Sequence, residues 1–380
     1  MSSEVPEGWH SAALGDVIRL EYGRALSAST REPGPIPVYG SNGVCGQHSA
    51  ALVNKRGIVV GRKGTAGSVT VTTGPFWPID TTYFVVPRVE ADFDWLAATL
   101  EHARLSELNE ATGVPGLNRD KAYLQPILLP PLNEQRRIAE VLRVAGAACE
   151  AGQQVVATYG DIIQTEIDYV VADLISDPRT PMARLGDVST VKGGKRLPKG
   201  SEYCDIPTGS RYVRVTDWND YEIDPAYVRW ISSEAASSIR RYTISSADLF
   251  ISIAGSIGLV ASVPAELNGA YLTENAAKIV LREDVAIDRE YLLLVLRSAS
   301  LTNQIRQQKG VGGGVPKLAL FRIEALEIPL PPLGRQREIA ASYRSLKVAR
   351  SIASQASSGA ARVFETLAAD LLSGRVRAPA

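Results

Sequence analysis

The side chains of this sequence that could do chemistry fall into two groups: glycine- and proline-rich motifs that look like catalytic loops, and Arg, Lys and Asn residues scattered among apolar runs. The first group does not hold. A loop of the GxxxxGK[ST] type cradles phosphate with its lysine after the second glycine. In "GRKGTAGS" at Gly61–Ser68 the lysine comes before it, so no nucleotide site is expected. "LPPL" at Leu129–Leu132 lacks both the polar side chain that would grip a target amine and the aromatic ring that would stack on a base. It reads as the exit of one element before a helix begins. No Glu-x-Lys or Asp-x-Lys pair accompanies clustered carboxylates, as a metal-dependent nuclease would need. Asp80 and Glu274 occupy loosely corresponding places with different neighbours, which suits solvated or capping roles. Cys45, Cys149 and Cys204, like His10, His48 and His102, are too dispersed for a disulfide framework or a zinc site.

The second group is denser than chance in one place. Lys192 to Arg214 holds six basic residues together with Tyr203 and Tyr212. The chain as a whole is neutral, with 41 Lys+Arg against 41 Asp+Glu, which argues against indiscriminate polyanion binding but leaves room for local basic patches on nucleic acid. Its 380 residues, 45% of them hydrophobic, are enough for two cored domains. No apolar run approaches the roughly 18 to 20 residues of a membrane span, and "MSSEVPEGWH" lacks the blocks of an export signal. The expectation is a cytoplasmic protein without membrane contact.

What must position these residues is a duplication. "LPPLNEQRRIA" at Leu129–Ala139 returns as "LPPLGRQREIA" at Leu330–Ala340, and the same offset pairs "GVPGL" from Gly113 with "GVPKL" from Gly314. "LGDV" at Leu14 recurs at Leu185, each followed by a glycine and a basic residue, Gly23-Arg24 and Gly194-Lys195. "VVGRKGTAGSV" at Val59–Val69 resembles "FISIAGSIGLV" at Phe250–Val260, aligning Gly64, Thr65 and Gly67 with Gly255, Ser256 and Gly258. In each copy, short β-branched and aromatic runs such as 57–60, 68–72 and 83–86 predict strands. Asp94–Asn109 and Asp288–Lys309 predict one helix apiece. The mixture, without a regular βαβ rhythm, indicates α+β.

After each copy comes a longer helix. Following Pro130-Pro131, Asn133 is the expected N-cap, and Ile138, Leu142, Cys149, Val156, Ile163 and Val170 keep coiled-coil spacing with Ala145 and Tyr159 between them. In the second copy Ile339, Leu346, Ala353, Ala360 and Leu367 recur every seven residues, flanked by Tyr343 and Phe364. A helix of about 40 residues extends roughly 60 Å and outruns a small domain. The two are therefore expected to pair, antiparallel, about a pseudo-twofold axis. The domain reading is globular 1–131, helix 132–178, globular 179–331 and helix 332–377. Two heads on a fixed ruler suit a bipartite linear target, and a DNA duplex repeats its major groove every ~34 Å.

The sequence resembles the specificity subunits of type I restriction-modification systems. "PEGWHSAALGDV" at Pro6–Val17 and "ARLGDVSTVKGGKRLPKG" at Ala183–Gly200 are similar to the openings of their two target-recognition domains. "LPPLNEQRRIAEVL" at Leu129–Leu142 and "IPLPPLGRQREIA" at Ile328–Ala340 are similar to the starts of their spacer helices. The resemblance implies a non-catalytic subunit that reads a split site in double-stranded DNA, holds two methyltransferase subunits and can join restriction (translocase) subunits. S-adenosylmethionine, ATP and magnesium would belong to those partners. Base edges are read chiefly by Arg, Lys, Asn and Gln, so the candidates in the first head are Arg24, Ser41, Asn42, Arg62, Lys63, Thr65, Asn118 and Arg119. In the second they are Lys195, Arg196, Lys199, Arg211, Arg214, Ser256, Lys309 and Lys317. Gln135, Arg136, Gln336 and Arg337 are candidates for methyltransferase contact. A stand-alone duplicated DNA-binding or regulatory protein would use the same heads without partners, and a two-site enzyme would need a constellation that the sequence does not mark.

Overall fold

The computed structural model describes residues 5–108, 116–307 and 317–379 and divides into two compact units. The first joins the chain up to Gln154 with Ser354 onward; the second is Val155–Ala353. Each contains one head and a stretch of both long helices. The architecture is α+β, as expected.

In the first unit β1 (His10–Ala13) pairs antiparallel with β9 (Pro126–Leu129), the strand that carries the first "LPPL". Between them the four-residue helix α1 (Leu14–Val17) leads into β2 (Ile18–Tyr22). That strand alternates as a one-faced strand must, with Ile18 and Leu20 buried and Arg19 exposed. A sheet runs β2, β8 (Thr82–Pro87), β5 (Ile58–Gly61), β6 (Val69–Val71). A second sheet runs β4 (Gly43–His48), β3 (Ile36–Gly40), β7 (Trp77–Pro78). The continuous apolar run of β5 is buried throughout, which explains its lack of alternation. Helix α2 (Phe93–His102) is capped by Asp92, whose carboxylate accepts from the Asp94 and Trp95 amides at 3.1 and 3.0 Å. It buries Trp95, Leu96 and Leu100 in the core. The expected helix over 94–109 is shorter than that, because Arg104 takes φ of 46° and only a 3-10 turn, Leu105–Leu108, follows. Helix α3 (Arg119–Tyr123) completes the head.

The second unit repeats the plan with insertions. β10 (Met182–Arg184) pairs with β22 (Glu327–Pro329), and α5 (Leu185–Val188) leads into β11 (Ser189–Gly193). One sheet runs β11, β21 (Ala276–Leu281), β18 (Leu249–Ser252), β19 (Val260–Ser262), β15 (Glu222–Ile223), β14 (Trp218–Asn219). The other runs β12 (Tyr203–Cys204), β16 (Arg229–Ile231), β13 (Arg211–Val213), β20 (Ala270–Leu272), β17 (Thr243–Ile244), with α6 (Ser233–Ser238) after β16. The β14–β15 hairpin is an addition to the plan. Its turn residues Asp220 and Tyr221 have φ of 45° and 65°, as a two-residue I′ turn requires. The expected helix over 288–309 is two, α7 (Arg289–Arg297) and α8 (Ala299–Gln307), broken at Ser298 where ψ is 155°. Helix α9 (Leu320–Glu324) is the counterpart of α3.

The correspondence is atomic. The Leu20 amide donates to the Tyr123 hydroxyl at 2.9 Å, and the equivalent Val191 amide donates to the Glu324 carboxylate at 3.0 Å. Gly23 and Gly194 lie where a β-carbon would fall within 2.1 Å of the Ile79 and Thr273 carbonyls, so only glycine lets the strand end pass.

The long helices are α4 (Leu132–Ser176) and α10 (Leu333–Leu372). In the first unit they run antiparallel: a β-carbon at Gly146 would lie 3.7 Å from the Phe364 ring and one at Gly152 would lie 3.4 Å from Ser357. In the second, Gly160 faces Arg350 in the same sense. The expected seam holds, but each helix also packs on a domain. Ile138 and Leu142 join the first core, and Ile163, Ile167, Val171 and Leu174 join the second. Asn133 is not the cap. The helix already begins at Leu132, and the Pro131 carbonyl accepts from the Glu134 and Gln135 amides at 2.8 and 3.0 Å.

Candidate nucleic-acid interface

Two polar positions recur in both heads on the same backbone, and a third recurs across a shared bridge. The Arg24 amide donates to the Pro78 carbonyl at 2.9 Å and the Lys195 amide to the Leu272 carbonyl at 2.8 Å, so these exposed cations leave equivalent strand ends. The glycine loops match as well. Gly64 and Gly67 have φ of 79° and 80°, Gly255 and Gly258 of 73° and 92°, and each pair holds an exposed hydroxyl, Thr65 or Ser256, at the apex. Positive φ at four positions explains why the glycines recur. Beside each loop is a two-residue bridge, Lys63 opposite Gly116 in one head and Ala254 opposite Lys317 in the other.

The first head gathers further candidates around a hollow of about 370 Å³ lined by Tyr22, Arg62, Lys63, Asn118 and Arg119. Both arginines stack on the half-exposed Tyr22 ring, at 4.9 and 5.1 Å from its centroid, and Arg62 also donates to the Asp80 carbonyl at 3.0 Å. Asn118 caps α3, its side-chain oxygen accepting from the Asp120 and Lys121 amides. Ser41 and Asn42 sit at the β3–β4 turn against the glycine loop, where the Ser41 carbonyl accepts from the Ser68 hydroxyl at 2.6 Å. Burial pushes the Tyr83 phenol behind this hollow upward, against the pull of Arg62.

The second head builds a larger hollow, about 720 Å³, from the segment after Lys195: Arg196, Lys199, Tyr203, Tyr212, Arg214 and Glu274. Arg196 is exposed and pairs with Glu274 at 2.6 Å. Burial pushes that carboxyl up, but Arg196, its own backbone and Thr273 outweigh burial and hold it below the usual carboxylate range. Tyr212 is pushed up to about 12, first by burial. Arg214 is less free than its type suggests. It grips the fully buried Asp217 at 2.5 Å and the Tyr227 carbonyl at 2.8 Å, and lies 5.4 Å from the Tyr203 ring. Burial nevertheless raises the Asp217 carboxyl. Arg211 and Tyr212 are neighbours on β13 and so point to opposite faces. Arg211 lies over Trp230, 4.8 Å away, in a separate hollow. The six-cation stretch is therefore not one patch. Lys309 lies outside the described residues.

The sequence model of the type I restriction modification DNA specificity domain matches residues 6–155 and 181–345, once over each head and the helix start that follows. The chain belongs to that family. The family is that of the DNA specificity domains of type I restriction-modification systems. The specificity subunit of the type I restriction enzyme EcoBI from Escherichia coli is 30% identical over 166 residues, a stretch that is 42% of this chain but only 33% of that protein. Among solved structures, the S subunit of the M. genitalium type I system is similar over 98% of this chain and 97% of that one, at 15% identity and a TM-score of 0.55. A chain from a structure on complex assembly and conformational transition of a type I system is similar over 98% and 100%, at 14% identity and a TM-score of 0.63. At such identities the likeness speaks for the fold alone.

In this specificity-family chain, the repeated "LPPLxxQ" stretch is a lock. The Gln135 amide donates to the Pro130 carbonyl at 2.9 Å and its oxygen accepts from the Asp92 amide at 2.8 Å. Gln336 does the same with Pro331 and Asp288 at 2.8 Å each. Both glutamines are buried and tie the long helix to the N-cap of the head's main helix, while Arg136 and Arg337 stay exposed. Sequence reasoning missed Tyr22, Trp230 and Asp217, whose partners lie on other elements. It also missed an outward apolar row on α4, where Val155, Ile162 and Tyr169 recur every seven residues with 49%, 47% and 69% exposure. That row carried a signal, since a second heptad beside the seam was legible. Among the described residues no helix is long and apolar enough to cross a membrane, and no group of three metal-ligating side chains forms.

Proposed function

We propose that this chain is the DNA-reading subunit of a type I restriction-modification assembly, in which heads spanning 1–131 and 179–331 each read one half of a bipartite duplex site. The observation that carries this reading is the pair of specificity-domain matches on two heads that share a glycine loop and its flanking cations yet differ in almost every other exposed cation. Shared cations suit phosphate contacts, which set register; unshared ones suit base edges, which set sequence. Base readers are then Arg62, Asn118 and Arg119 with Ser41 and Asn42 in the first head, and Arg196, Lys199 and Arg211 in the second. Arg214 shapes the hollow through Asp217, and Arg24, Lys195, Thr65 and Ser256 contact the backbone of the duplex.

The helices, 132–178 and 332–377, hold two methyltransferase subunits, and restriction subunits join through them. The exposed row of Val155, Ile162 and Tyr169, with Val348 and Ile352 on α10, supports a helix-borne partner contact alongside Arg136 and Arg337. S-adenosylmethionine, ATP and magnesium act in those subunits, in the cytoplasm. Purification through a tag on this chain, with Ile162→Glu as comparison, tests the assembly. The native chain should bring down two methyltransferase subunits and the variant fewer; recovery of the native chain alone would favour the stand-alone reading. Inserting one helical turn after Ala145 should change the gap between the half-sites and leave their letters intact.

A further inference from the structure

The bridge beside the glycine loop holds one lysine in each head, but from different strands. In the first head the Arg62 and Lys63 amides both donate to the Thr81 carbonyl, at 2.9 and 3.1 Å, and the Leu117 amide donates to the Arg62 carbonyl at 2.9 Å. In the second, the Ile253 and Ala254 amides both donate to the Asn275 carbonyl, at 2.8 and 3.2 Å, and the Leu318 amide donates to the Ile253 carbonyl at 2.8 Å. These bonds equate Lys63 with Ala254 and Gly116 with Lys317, the two members of each antiparallel bridge. The lysine has changed strand while the place that it occupies has not.

Residues directly opposite in an antiparallel pair project on the same face, with β-carbons about 5 Å apart. A four-carbon ammonium stem absorbs that displacement, whereas the fixed fork of a base-reading contact does not. Both lysines are exposed, and neither makes an ion pair among the described residues. Each stands beside a loop whose apex hydroxyl, Thr65 or Ser256, could donate to the same oxyanion.

We propose that Lys63 and Lys317 are one phosphate-contacting cation, delivered to equivalent places in the two heads from opposite strands of the same bridge, and that it sets register rather than sequence. The proposal rests on the DNA-reading function and deepens it. It also predicts which substitution repairs the loss. Among the described residues, a β-carbon at Gly116 would have the Arg62 carbonyl at 3.8 Å as its nearest neighbour, an ordinary contact that leaves a lysine room there.

The test uses the full chain with its co-purifying subunits, short random-sequence duplexes as probe, a salt titration, and sequencing of the bound fraction. Lys63→Ala should reduce the slope of log affinity against log salt by about 0.9, the release expected for one phosphate, and leave the recovered motif unchanged. Lys63→Ala with Gly116→Lys should restore the slope. Lys317→Ala, alone and with Ala254→Lys, should behave in the same way. A changed motif in either single variant, an unchanged slope, or a folded double variant that fails to recover it would overturn the proposal while leaving the DNA-reading function standing. Failure of the native assembly to bind any duplex would overturn both.

Discussion

Beside the glycine loop of the first head stand Arg62, Arg119 and Tyr22; the same backbone positions of the second carry Ile253, Leu320 and Gly193. The second head draws its cations instead from the segment after Lys195, where the first has Ala25 in place of Arg196. The scaffold is copied down to single hydrogen bonds, and apart from Arg24 and Lys195 and the lysine at the bridge the exposed cations are not. A duplicated frame can thus be kept by a few backbone requirements while its reading surface diverges.

The two units also close differently. In the first, Arg377 reaches back to Glu134, which is 3% exposed, at 2.6 Å, and Glu134 accepts from the Trp9 indole at 2.9 Å. In the second, Arg335 stands at the Glu134 position, exposed, and its ion pair among the described residues is with Glu338. That unit instead uses its extra hairpin. Tyr221 covers Arg297 at 3.6 Å, Arg297 donates to the Tyr343 hydroxyl at 2.8 Å, and Asp220 and Glu222 meet Arg350 and Lys347 on α10.

The sharpest way to separate the two closures is Arg377→Ala, which leaves the buried Glu134 carboxylate with the Trp9 indole as its remaining side-chain donor among the described residues. It should cost about 2 to 3 kcal/mol in the first unit and nothing in the second, read by hydrogen exchange of the two cores. Exchange that accelerates equally in both would merge what the comparison keeps apart. Gln135→Ala and Gln336→Ala should each cost about 1 to 3 kcal/mol, because each orphans an amide and a proline carbonyl, and the effects should be similar, with Gln336 also releasing the Ala286 carbonyl at 3.2 Å. A large difference between them in thermal unfolding would mean that the copies are less alike than their bonds. Lys347→Ala removes an exposed pair worth ~0 to 1 kcal/mol, and its effect should vanish in high salt. The smallest effect concerns pH. Glu274 is depressed in the fold, so what Arg196 gains from it is present above the ordinary carboxylate pKa and is lost as pH falls through the lower folded value. Glu274→Gln should therefore differ from the native chain at neutral pH and converge with it only in acid.

Much of the frame was legible because its demands are local. Gly64, Gly67, Gly255 and Gly258 recur since the loop needs positive φ, and the heptads recur since α4 and α10 share a seam. What was not legible depends on distance. Gln135 looks like first-turn surface until Asp92 arrives beside it, and Arg377 lies 243 residues from Glu134. Asn133 has the residue type of a cap, but the Pro131 carbonyl already supplies the turn. The basic run from Lys192 to Arg214 reads as one patch because the sequence sets these side chains together, whereas strand alternation at β13 separates them.

The measurement closest to the central claim is the map of methylated sites in the host genome when it carries Arg119→Ala or, separately, Arg196→Ala. Neither residue has a counterpart in the other head. Two heads reading two half-sites predict that Arg119→Ala relaxes letters in one half of a bipartite motif and Arg196→Ala relaxes letters in the other, each by about 1 to 3 kcal/mol at one base pair, with the gap unchanged. Both variants altering the same half, or either altering both halves, would contradict it.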